Sequence, residues 1–478
     1  MPEINFGVNI VEIVTHGLYK NTLDIFREYI QNSCDAIDYA VKGGILAQSD
    51  GKITITIDEE NCRITITDNG AGLSMREFVR VMSNIGNSDK TLHTDRGFRG
   101  IGRLGGLAYC KTLVFSSKVA GERKFSTLKI NAENLRKEFF SGRKRLAEHI
   151  LLENMKFDIF DAEPDTPEHF FRVEMIGINE TNRDLLNVEI VRDYLSFVVP
   201  VAYNRAFGFQ KQIYKHAAEL GFKITEYDIR VNDKPIVKNY KADVKTGKGD
   251  DTIFDVAFND FYDSNGELIA WAWIGLSTFK GVLSKSKTKK ARDFGNMRGI
   301  RLRAGNIQIG DDKVFQERGL FSEDRGTTYF IGEIHAVDTN LIPNSRRDYF
   351  EETEAREAFE DELEDYFTVL AKLVRYASNV RSAFNAINQP KKFQQEIARH
   401  TLEYQEMYKA VHKAKLAELK QKAADKQEFI DEARQTAEMN PEEITSLVFE
   451  KIDAENSSTT TVIDTPPPEP FTVAKLVA

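Results

Sequence analysis

The sequence contains little cysteine and no long apolar run, and both scarcities restrict what kind of protein it encodes. Three cysteines in 478 residues, with no CxxC pair, argue against a disulfide framework and against a zinc site. No run of about 18 apolar residues is present, so the sequence predicts no membrane span. The N-terminal segment lacks the basic and apolar regions of a secretory signal. We therefore expect a cytoplasmic protein in a reducing compartment.

An excess of positive charge is also missing, since the formal net charge is -9. This balance argues against a nucleic-acid binder whose whole surface is basic, although a local basic patch stays possible. The apolar fraction of 41% and the charged fraction of 29% are typical of a globular protein. The length corresponds to two to four domains.

The hydrophobic pattern mixes helices and strands, and it predicts an α+β fold. Residues 8–42 have a helical pattern that breaks near residue 20, and Ser74 is placed to cap a second helix. Residues 348–436 are charged and helical in character, whereas 454–478 have the composition of a disordered tail. The predicted strands are 53–57, 64–66, 112–117, 126–130, 170–176, 228–231, 252–258, 268–277, 300–309 and 327–335.

Three polar residues near the start of the chain share one helical face. Glu28, Asn32 and Asp35 follow the spacing i, i+4 and i+7, while an apolar stripe occupies the opposite side. One face of this helix therefore packs, and the other presents two carboxylates and an amide. Taken alone, a solvated polar face is the better interpretation.

A second constellation follows a predicted strand directly. Asp68, Gly70 and Gly72 lie in the string DNGAG, where the glycines allow the backbone to approach a ligand closely. An ionised aspartate only accepts hydrogen bonds, so it matches the exocyclic amine of adenine. An Asx turn or a hairpin is the alternative interpretation of this common string.

The third constellation is the glycine-rich string RGFRGIGRLGG at residues 96–106. Successive glycine amides can form a concave set of donors for phosphate, and arginines add charge-assisted donors. A flexible linker is the alternative, but linkers seldom alternate arginine with aliphatic residues. The string lacks the GxxxxGK[ST] pattern, so it is not a Walker P-loop. We expect residues 86–106 to form a long loop.

Together the three blocks resemble, in type, order and spacing, the GHKL superfamily of gyrase, the heat-shock ninety-kilodalton chaperone, histidine kinases and MutL. The N-box of that superfamily, E-x-x-x-N-x-x-D-A, corresponds to Glu28, Asn32, Asp35 and Ala36. The stretch 18–38 looks most like the chaperone branch, and the string GFRG also looks like MutL. The resemblance covers roughly residues 1–350 and is firm up to about residue 110.

The resemblance implies a domain order as well as a fold. A Bergerat-type two-layer α/β sandwich that binds ATP would occupy 1–200, and an α/β middle domain of the transducer kind would occupy 201–347. An α-helical region would follow at 348–453, before the tail at 454–478. The resemblance also suggests a homodimer; the helical region could either form the dimer contact or pack within one chain.

The same resemblance implies roles for individual residues. Asn32 would ligate Mg²⁺, Glu28 would deprotonate the attacking water, and Asp68 would hold the adenine amine. The segment IPNSRRD at 342–348 resembles the part of the chaperone's middle domain that carries a catalytic arginine, so Arg346 or Arg347 would stabilise the transferring phosphoryl group. The residues implied to bind the nucleotide are Asn32, Asp35, Asp68, Gly70, Gly72, Lys90, Gly97, Arg99, Gly100, Gly102, Arg103 and Gly105.

The sequence departs from the family at one strand. The superfamily has a Gly-Thr near adenine, but residues 167–173 read PEHFFRV. The C-terminus also lacks the MEEVD-type ending of the cytosolic eukaryotic chaperone. The basic loop 285–292 fits the middle domain of that chaperone.

These features predict a slow, Mg²⁺-dependent ATPase that acts as a dimeric clamp on an unknown client or partner protein. A non-hydrolysing nucleotide sensor or scaffold in a multi-protein bacterial system, such as phage defence, is one alternative. A DNA-repair clamp is another, which the net charge does not favour. A histidine kinase is not expected, because the N-box at residue 28 leaves no room before it for phosphoacceptor helices.

Overall fold

The computed structural model describes residues 21–84, 102–140, 147–283, 297–321 and 326–461. In its first part, helices pack against an eight-stranded mixed sheet. The helices are α1 (Asp24–Lys42), α2 (Met75–Ser83), α3 (Ala132–Phe140), α4 (Ala147–Asn154) and α5 (Val188–Val198). The strands are β1 (Lys52–Asp58), β2 (Arg63–Asp68), β3 (Cys110–Lys118), β4 (Lys124–Asn131), β5 (Met155–Asp161), β6 (Phe170–Ile178), β7 (Asp228–Val231) and β8 (Lys234–Pro235).

The order of strands in this first sheet is β5-β4-β3-β6-β2-β1-β7-β8. Neighbouring strands are antiparallel except β1 and β7, which pair in parallel with Lys52 opposite Asp228. Strands β7 and β8 come from beyond residue 200, so the sheet continues past the boundary expected there.

Local sequence explains why these elements form where they do. In β1, Ile53, Ile55 and Ile57 alternate with threonine and are all buried against the helical layer, as the period-2 pattern predicts. Helix α2 begins with a complete capping box, in which Ser74 and Glu77 satisfy each other's backbone amides. These elements and the cap were predicted from the sequence and are confirmed.

A second, five-stranded sheet follows, with strand order β11-β12-β15-β13-β14. Helices α6 (Gln210–Glu219) and α7 (Val314–Glu317) and a two-stranded hairpin accompany it. The hairpin strands are β9 (Asp243–Thr246) and β10 (Gly249–Thr252), and the sheet strands are β11 (Asp255–Tyr262), β12 (Leu268–Leu276), β13 (Gly299–Ala304), β14 (Ile307–Ile309) and β15 (Ile331–Ala336).

The run 300–309, predicted as one strand, is two antiparallel strands in the structure. Gly305 and Asn306 both have positive φ, +56° and +62°, which turns the chain between β13 and β14. The apolar positions change phase at this turn, from Ile300 and Leu302 to Ile307 and Ile309, and the Gly-Asn pair between them is typical of a two-residue hairpin turn.

The last part of the described chain is helical, as expected. It contains α8 (Glu354–Ala398), α9 (Leu402–Met407), α10 (Lys409–Met439) and α11 (Ile444–Thr461). Buried apolar residues of these helices and of the second sheet form one continuous core, so the boundary expected at residue 347 does not separate two cores. Helix α11 reaches residue 461, whereas the tail was expected to be disordered from 454; residues 462–478 lie outside the described residues.

The expected α+β class, with a helix-and-sheet first domain and a helical C-terminal region, is confirmed. Four elements of the first sheet and its helical layer were not predicted, namely β5, β8, α3 and α4. The expected loop 86–106 is partly described: residues 102–108 form a 3₁₀ helix, and 85–101 lie outside the described residues. No helix within the described ranges is long and apolar enough to cross a membrane.

A buried ionic network joins the domains of the two sheets. Lys238 Nζ and Arg303 Nη2 lie 2.9 and 2.5 Å from the carboxylate oxygens of Glu333, and all three side chains are fully buried. Arg303 also donates to the carbonyl oxygen of Phe197, at the end of α5. A buried charge left unpaired is costly, so this network fixes the seam between the domains.

Candidate functional site

Helix α1 carries the N-box residues on the face predicted from their spacing. Glu28 and Asn32 are partly exposed and Asp35 is buried, while the opposite side of the helix packs into the first core through Phe26 and Ile30. The side chain of Glu28 is 12% exposed. One turn of helix separates Glu28 from Asn32, so a carboxylate and an amide oxygen face the same space.

The DNGAG turn lies directly beside this helix. Asp68 is buried at the end of β2 and accepts a hydrogen bond from the Gly70 amide at 2.9 Å. The Ala71 amide donates to the carbonyl oxygen of Ala36 on α1, at 3.1 Å. The turn therefore ties Asp68 to the N-box helix next to Asp35, about two helical turns from Glu28.

Close packing within the protein explains both glycines of this turn. A Cβ on Gly70 would lie 2.6 Å from the Cβ of Ala36. Gly72 has φ of +69°, and a Cβ there would lie 2.0 Å from the carbonyl oxygen of Lys118. The sequence suggested that the glycines admit a ligand; in the structure they admit neighbouring strands and the N-box helix.

Two polar side chains lie beside the DNGAG turn: His169, from the segment 167–173 that lacks the family's Gly-Thr, and Ser117 of β3. The imidazole Nδ1 of His169 lies 2.8 Å from the carbonyl oxygen of Gly70. Ser117 accepts from the Leu73 amide and donates to the carbonyl oxygen of Phe170. Neither residue stood out in the sequence, because a single histidine or serine on a strand carries no motif.

The described part of the glycine-rich segment is anchored to α1. Gly102, Arg103 and Gly105 lie in the 3₁₀ helix, and the buried Tyr29 hydroxyl bridges it by donating to the Arg103 carbonyl at 3.0 Å and accepting from the Gly106 amide at 3.1 Å. Burial raises the pKa of Tyr29 well above its ordinary value, so its hydroxyl stays protonated and can donate. No motif in the sequence marks Tyr29, which only tertiary packing singles out.

The structure modifies what this segment can offer to phosphate. The Gly106 amide is bound by Tyr29, and the Arg103 guanidinium donates to the carbonyl oxygen of Asn84 at the end of α2. Burial lowers the pKa of Arg103. The basic loop 285–292 lies outside the described residues, as do four of the residues predicted to bind the nucleotide: Lys90, Gly97, Arg99 and Gly100.

The structure distinguishes between the two candidate arginines of the second domain. Arg346 is exposed, whereas Arg347 is buried and its Nε lies 3.8 Å from Glu28 Oε1. Arg347 has a φ of +53°, in the left-handed region that non-glycine residues seldom adopt. Arg347 thus lies next to the Glu28 carboxylate, although the two residues are about 320 positions apart in the sequence.

The arrangement of the site suits chemistry on a phosphate ester. A carboxylate that can take a proton and an arginine that can face an anion lie 3.8 Å apart. An amide oxygen that can ligate a hard cation lies one helical turn from the carboxylate on α1. Asp68 lies next to the same helix, in the turn whose Ala71 amide donates to the Ala36 carbonyl oxygen.

Comparisons with known proteins agree with this geometry. Residues 24–151 match the family described as histidine kinase-, DNA gyrase B-, and HSP90-like ATPase, and form a GHKL-type ATPase domain. The matched range contains α1, the DNGAG turn and the glycine-rich segment.

Curated relatives of this region are bacterial proteins named chaperone protein HtpG. The chain is 32% identical over 132 residues to the one from Psychrobacter cryohalolentis, covering 24% of this chain and 20% of the relative. It is 30% identical over 135 residues to that of Buchnera aphidicola, covering 26% and 21%. It is 40% identical over 85 residues to that of Legionella pneumophila, covering 16% and 14%. The matched region thus spans about a fifth or less of each relative's length.

Proposed function

We propose that this chain binds ATP with Mg²⁺ and hydrolyses it slowly, as a conformational switch that couples the nucleotide site to the second domain. The contact between Arg347 and Glu28 carries the proposal, because it joins the second domain to the residue that would activate water. The ATPase domain and the HtpG relatives support an ATP-binding switch of the chaperone type.

In the proposed reaction, Glu28 takes a proton from a water molecule while the water oxygen bonds to the γ-phosphorus. The bond from that phosphorus to the bridging oxygen breaks, and ADP carries the released electron pair. Arg347 stabilises negative charge on the transferring phosphoryl group, as arginine fingers do. Its Nε is already within 3.8 Å of the Glu28 carboxylate, so the base and the arginine share one site.

The remaining residues would bind and orient the nucleotide. Asp68 would accept from the adenine amine, and its own carboxylate is held by the Gly70 amide. Amide and carboxylate oxygens are hard donors, so Asn32 fits Mg²⁺, which would neutralise phosphate charge. Gly102 and Gly105 would present amides to the phosphates, whereas the Gly106 amide is bound by Tyr29.

We further propose that the protein works in the cytoplasm as a homodimeric clamp on a client or partner protein. The support is the resemblance to HtpG over the first domain. The C-terminal helices pack on the second sheet of the same chain, which leaves their outer faces as the surface for a dimer contact.

The deciding experiment compares Glu28→Gln with wild type for ATP binding and for hydrolysis. We expect binding to be retained and kcat to fall by about 10²–10⁴-fold, the usual contribution of a general base. Removing Mg²⁺ with a chelator should abolish wild-type turnover. Arg346→Ala serves as the control, because that side chain is exposed and should leave turnover unchanged. Wild-type turnover in Glu28→Gln would show that Glu28 is not the base.

A non-hydrolysing nucleotide sensor is the second candidate, and His169 favours it. The segment 167–173 lacks the expected Gly-Thr, and His169 within it contacts the Gly70 carbonyl oxygen of the DNGAG turn, so this part of the site departs from the family pattern. If wild-type protein binds ATP but shows no Mg²⁺-dependent phosphate release, this second function replaces the first.

A further inference from the structure

We infer that Gly310 and Gln308 are positioning residues for Arg347, holding its loop against the first domain. The inference rests on the proposed function, since it assigns these residues a role in hydrolysis through Arg347. Neither residue touches the nucleotide site, and neither belongs to a motif in the sequence. Their role follows from a chain of contacts that runs beneath the Arg347 loop.

The Arg347 loop is strained and therefore needs support. Arg347 has a φ of +53°, which a non-glycine residue keeps only where its surroundings enforce it. The turn closes on itself through Asn344, whose carbonyl accepts from the Arg347 amide at 3.0 Å and whose side chain donates to Asp348 at 2.6 Å. These local bonds shape the turn, and the buried Tyr349 and Phe350 anchor the chain that follows it in the core of the second sheet.

Gly310 connects the turn itself to the sheet. Its amide donates to the Arg347 carbonyl oxygen at 2.8 Å, directly after strand β14. Gly310 has a φ of +66°, and a Cβ at this position would lie 2.7 Å from the Asp348 carbonyl oxygen and 2.8 Å from Val314 Cγ2. Any side chain at Gly310 would therefore push the loop away from the sheet.

Gln308 and Arg301 extend the connection into the seam between the domains. Gln308 Nε2 donates to the Gly310 carbonyl at 3.1 Å, and its Oε1 accepts from Arg301 Nη1 at 2.8 Å. Both side chains are buried. The Arg301 guanidinium stacks over the ring of Phe197 of α5, 4.6 Å from its centroid.

Arg301, Gln308, Gly310 and Arg347 thus form a relay that contacts the first domain at both ends. At one end Arg301 meets Phe197, and at the other Arg347 meets Glu28. The bonds in the relay are buried or half-buried, and closely packed groups have little room to adjust separately. A shift of the backbone at Gly310 would therefore move the guanidinium of Arg347. A displacement of about 1 Å at a reacting centre costs on the order of 10²-fold in rate.

The test measures ATP hydrolysis and ATP affinity for Gly310→Ala, for Arg347→Ala and for the double variant. We expect Gly310→Ala to lower kcat by about 10²-fold while the Kd for ATP changes less than about twofold. In the Arg347→Ala background, Gly310→Ala should lower kcat by less than about a further threefold, because the arginine that Gly310 positions is gone.

Gly319→Ala is the matched control. Gly319 has a similar φ of +74° and lies on the other side of α7, and a Cβ added there would meet no atom within 4 Å. It carries the same backbone cost without the steric contact, so it should leave kcat within about twofold of wild type. A fall equal to that of Gly310→Ala would overturn the inference.

A second variant tests the relay without adding volume. Gln308→Glu keeps an oxygen for Arg301 but removes the donor to Gly310, so kcat should fall roughly tenfold with ATP affinity retained. If Gly310→Ala fails to fold and therefore does not bind ATP, Gln308→Glu is the variant that tests the relay. Wild-type kcat in Gln308→Glu would overturn the role of the relay.

The outcomes separate this inference from the proposed function. If Arg347→Ala hydrolyses ATP at the wild-type rate, the proposed function of Arg347 fails and the relay has nothing to position. If Arg347→Ala is defective but Gly310→Ala and Gln308→Glu are both normal, only the inference fails. Equal effects of Gly310→Ala with and without Arg347 would show a general structural role and would also overturn it.

Discussion

The ion pair between Glu28 and Arg347 predicts that the two domains are energetically coupled in the protein without added nucleotide. Nε of Arg347 lies 3.8 Å from Oε1 of Glu28, and their side chains are only 10% and 12% exposed. Replacing both, with Glu28→Gln and Arg347→Met, removes the charges while keeping much of the packing.

The magnitude follows from the distance and the burial. Two unit charges about 4 Å apart attract by about 4 kcal/mol at an effective dielectric constant of about 20. Desolvation of both groups offsets part of this, and 3.8 Å is too long for a direct hydrogen bond. Exposed pairs contribute about 0.2–1 kcal/mol, so a nearly buried pair of this geometry should contribute about 1–2 kcal/mol.

A double-mutant cycle measured by urea unfolding gives this coupling directly. Wild type, both single variants and the double variant are compared under identical conditions at moderate salt. The cycle of Glu28→Gln with Arg346→Met is the control, because Arg346 is the exposed neighbour and should couple by less than about 0.5 kcal/mol. No measurable coupling for Arg347, or equal coupling for both arginines, would refute the assignment of Arg347 as the interdomain partner of Glu28.

Two further predictions concern stability. Gly72→Ala should lower the melting temperature strongly, because the added Cβ would lie 2.0 Å from the Lys118 carbonyl oxygen. Gly121→Ala is the control and should not lower it strongly, because Gly121 has a φ of +82° but no atom within 4 Å of an added Cβ. Similar melting temperatures for the two variants would contradict this prediction. Burial lowers the pKa of His335 to about 4 in the folded protein. As the pH falls, this imidazole is therefore protonated in the unfolded chain before it is protonated in the folded one. The free energy of unfolding should fall between about pH 6.5 and pH 4 by on the order of 3 kcal/mol. His335→Gln should flatten this loss in pH-dependent urea unfolding, and an unchanged acid profile would show that other groups cause it.

Some of the fold could be predicted because its causes are local. The isoleucines of β1 alternate with period 2, and Ser74 with Glu77 forms a capping box four residues long. Other elements have no such signal. Strand β5 has mostly exposed side chains at the edge of the sheet, and β7 joins the first sheet only by pairing with β1 from beyond residue 200.

The candidate site likewise has some features that the local sequence predicts and others that depend on tertiary contacts. The spacing of Glu28, Asn32 and Asp35 fixes their common helical face whatever surrounds the helix, and the DNGAG string dictates a tight turn after a strand. Why that turn needs its glycines depends on Ala36 and Lys118, which approach it only in the folded chain. The partners of Tyr29 and His169 likewise come from segments more than 70 residues away.

By itself the sequence determined the N-box face, the aspartate-glycine turn and the family of the ATPase domain, since each depends on neighbouring residues. Only the tertiary structure decided that Arg347, and not the chemically identical Arg346 next to it, lies beside Glu28. The positive φ of Arg347 turns it inward toward Glu28 and leaves Arg346 in solvent. That choice depends on how the second domain packs on the first, which no local pattern encodes.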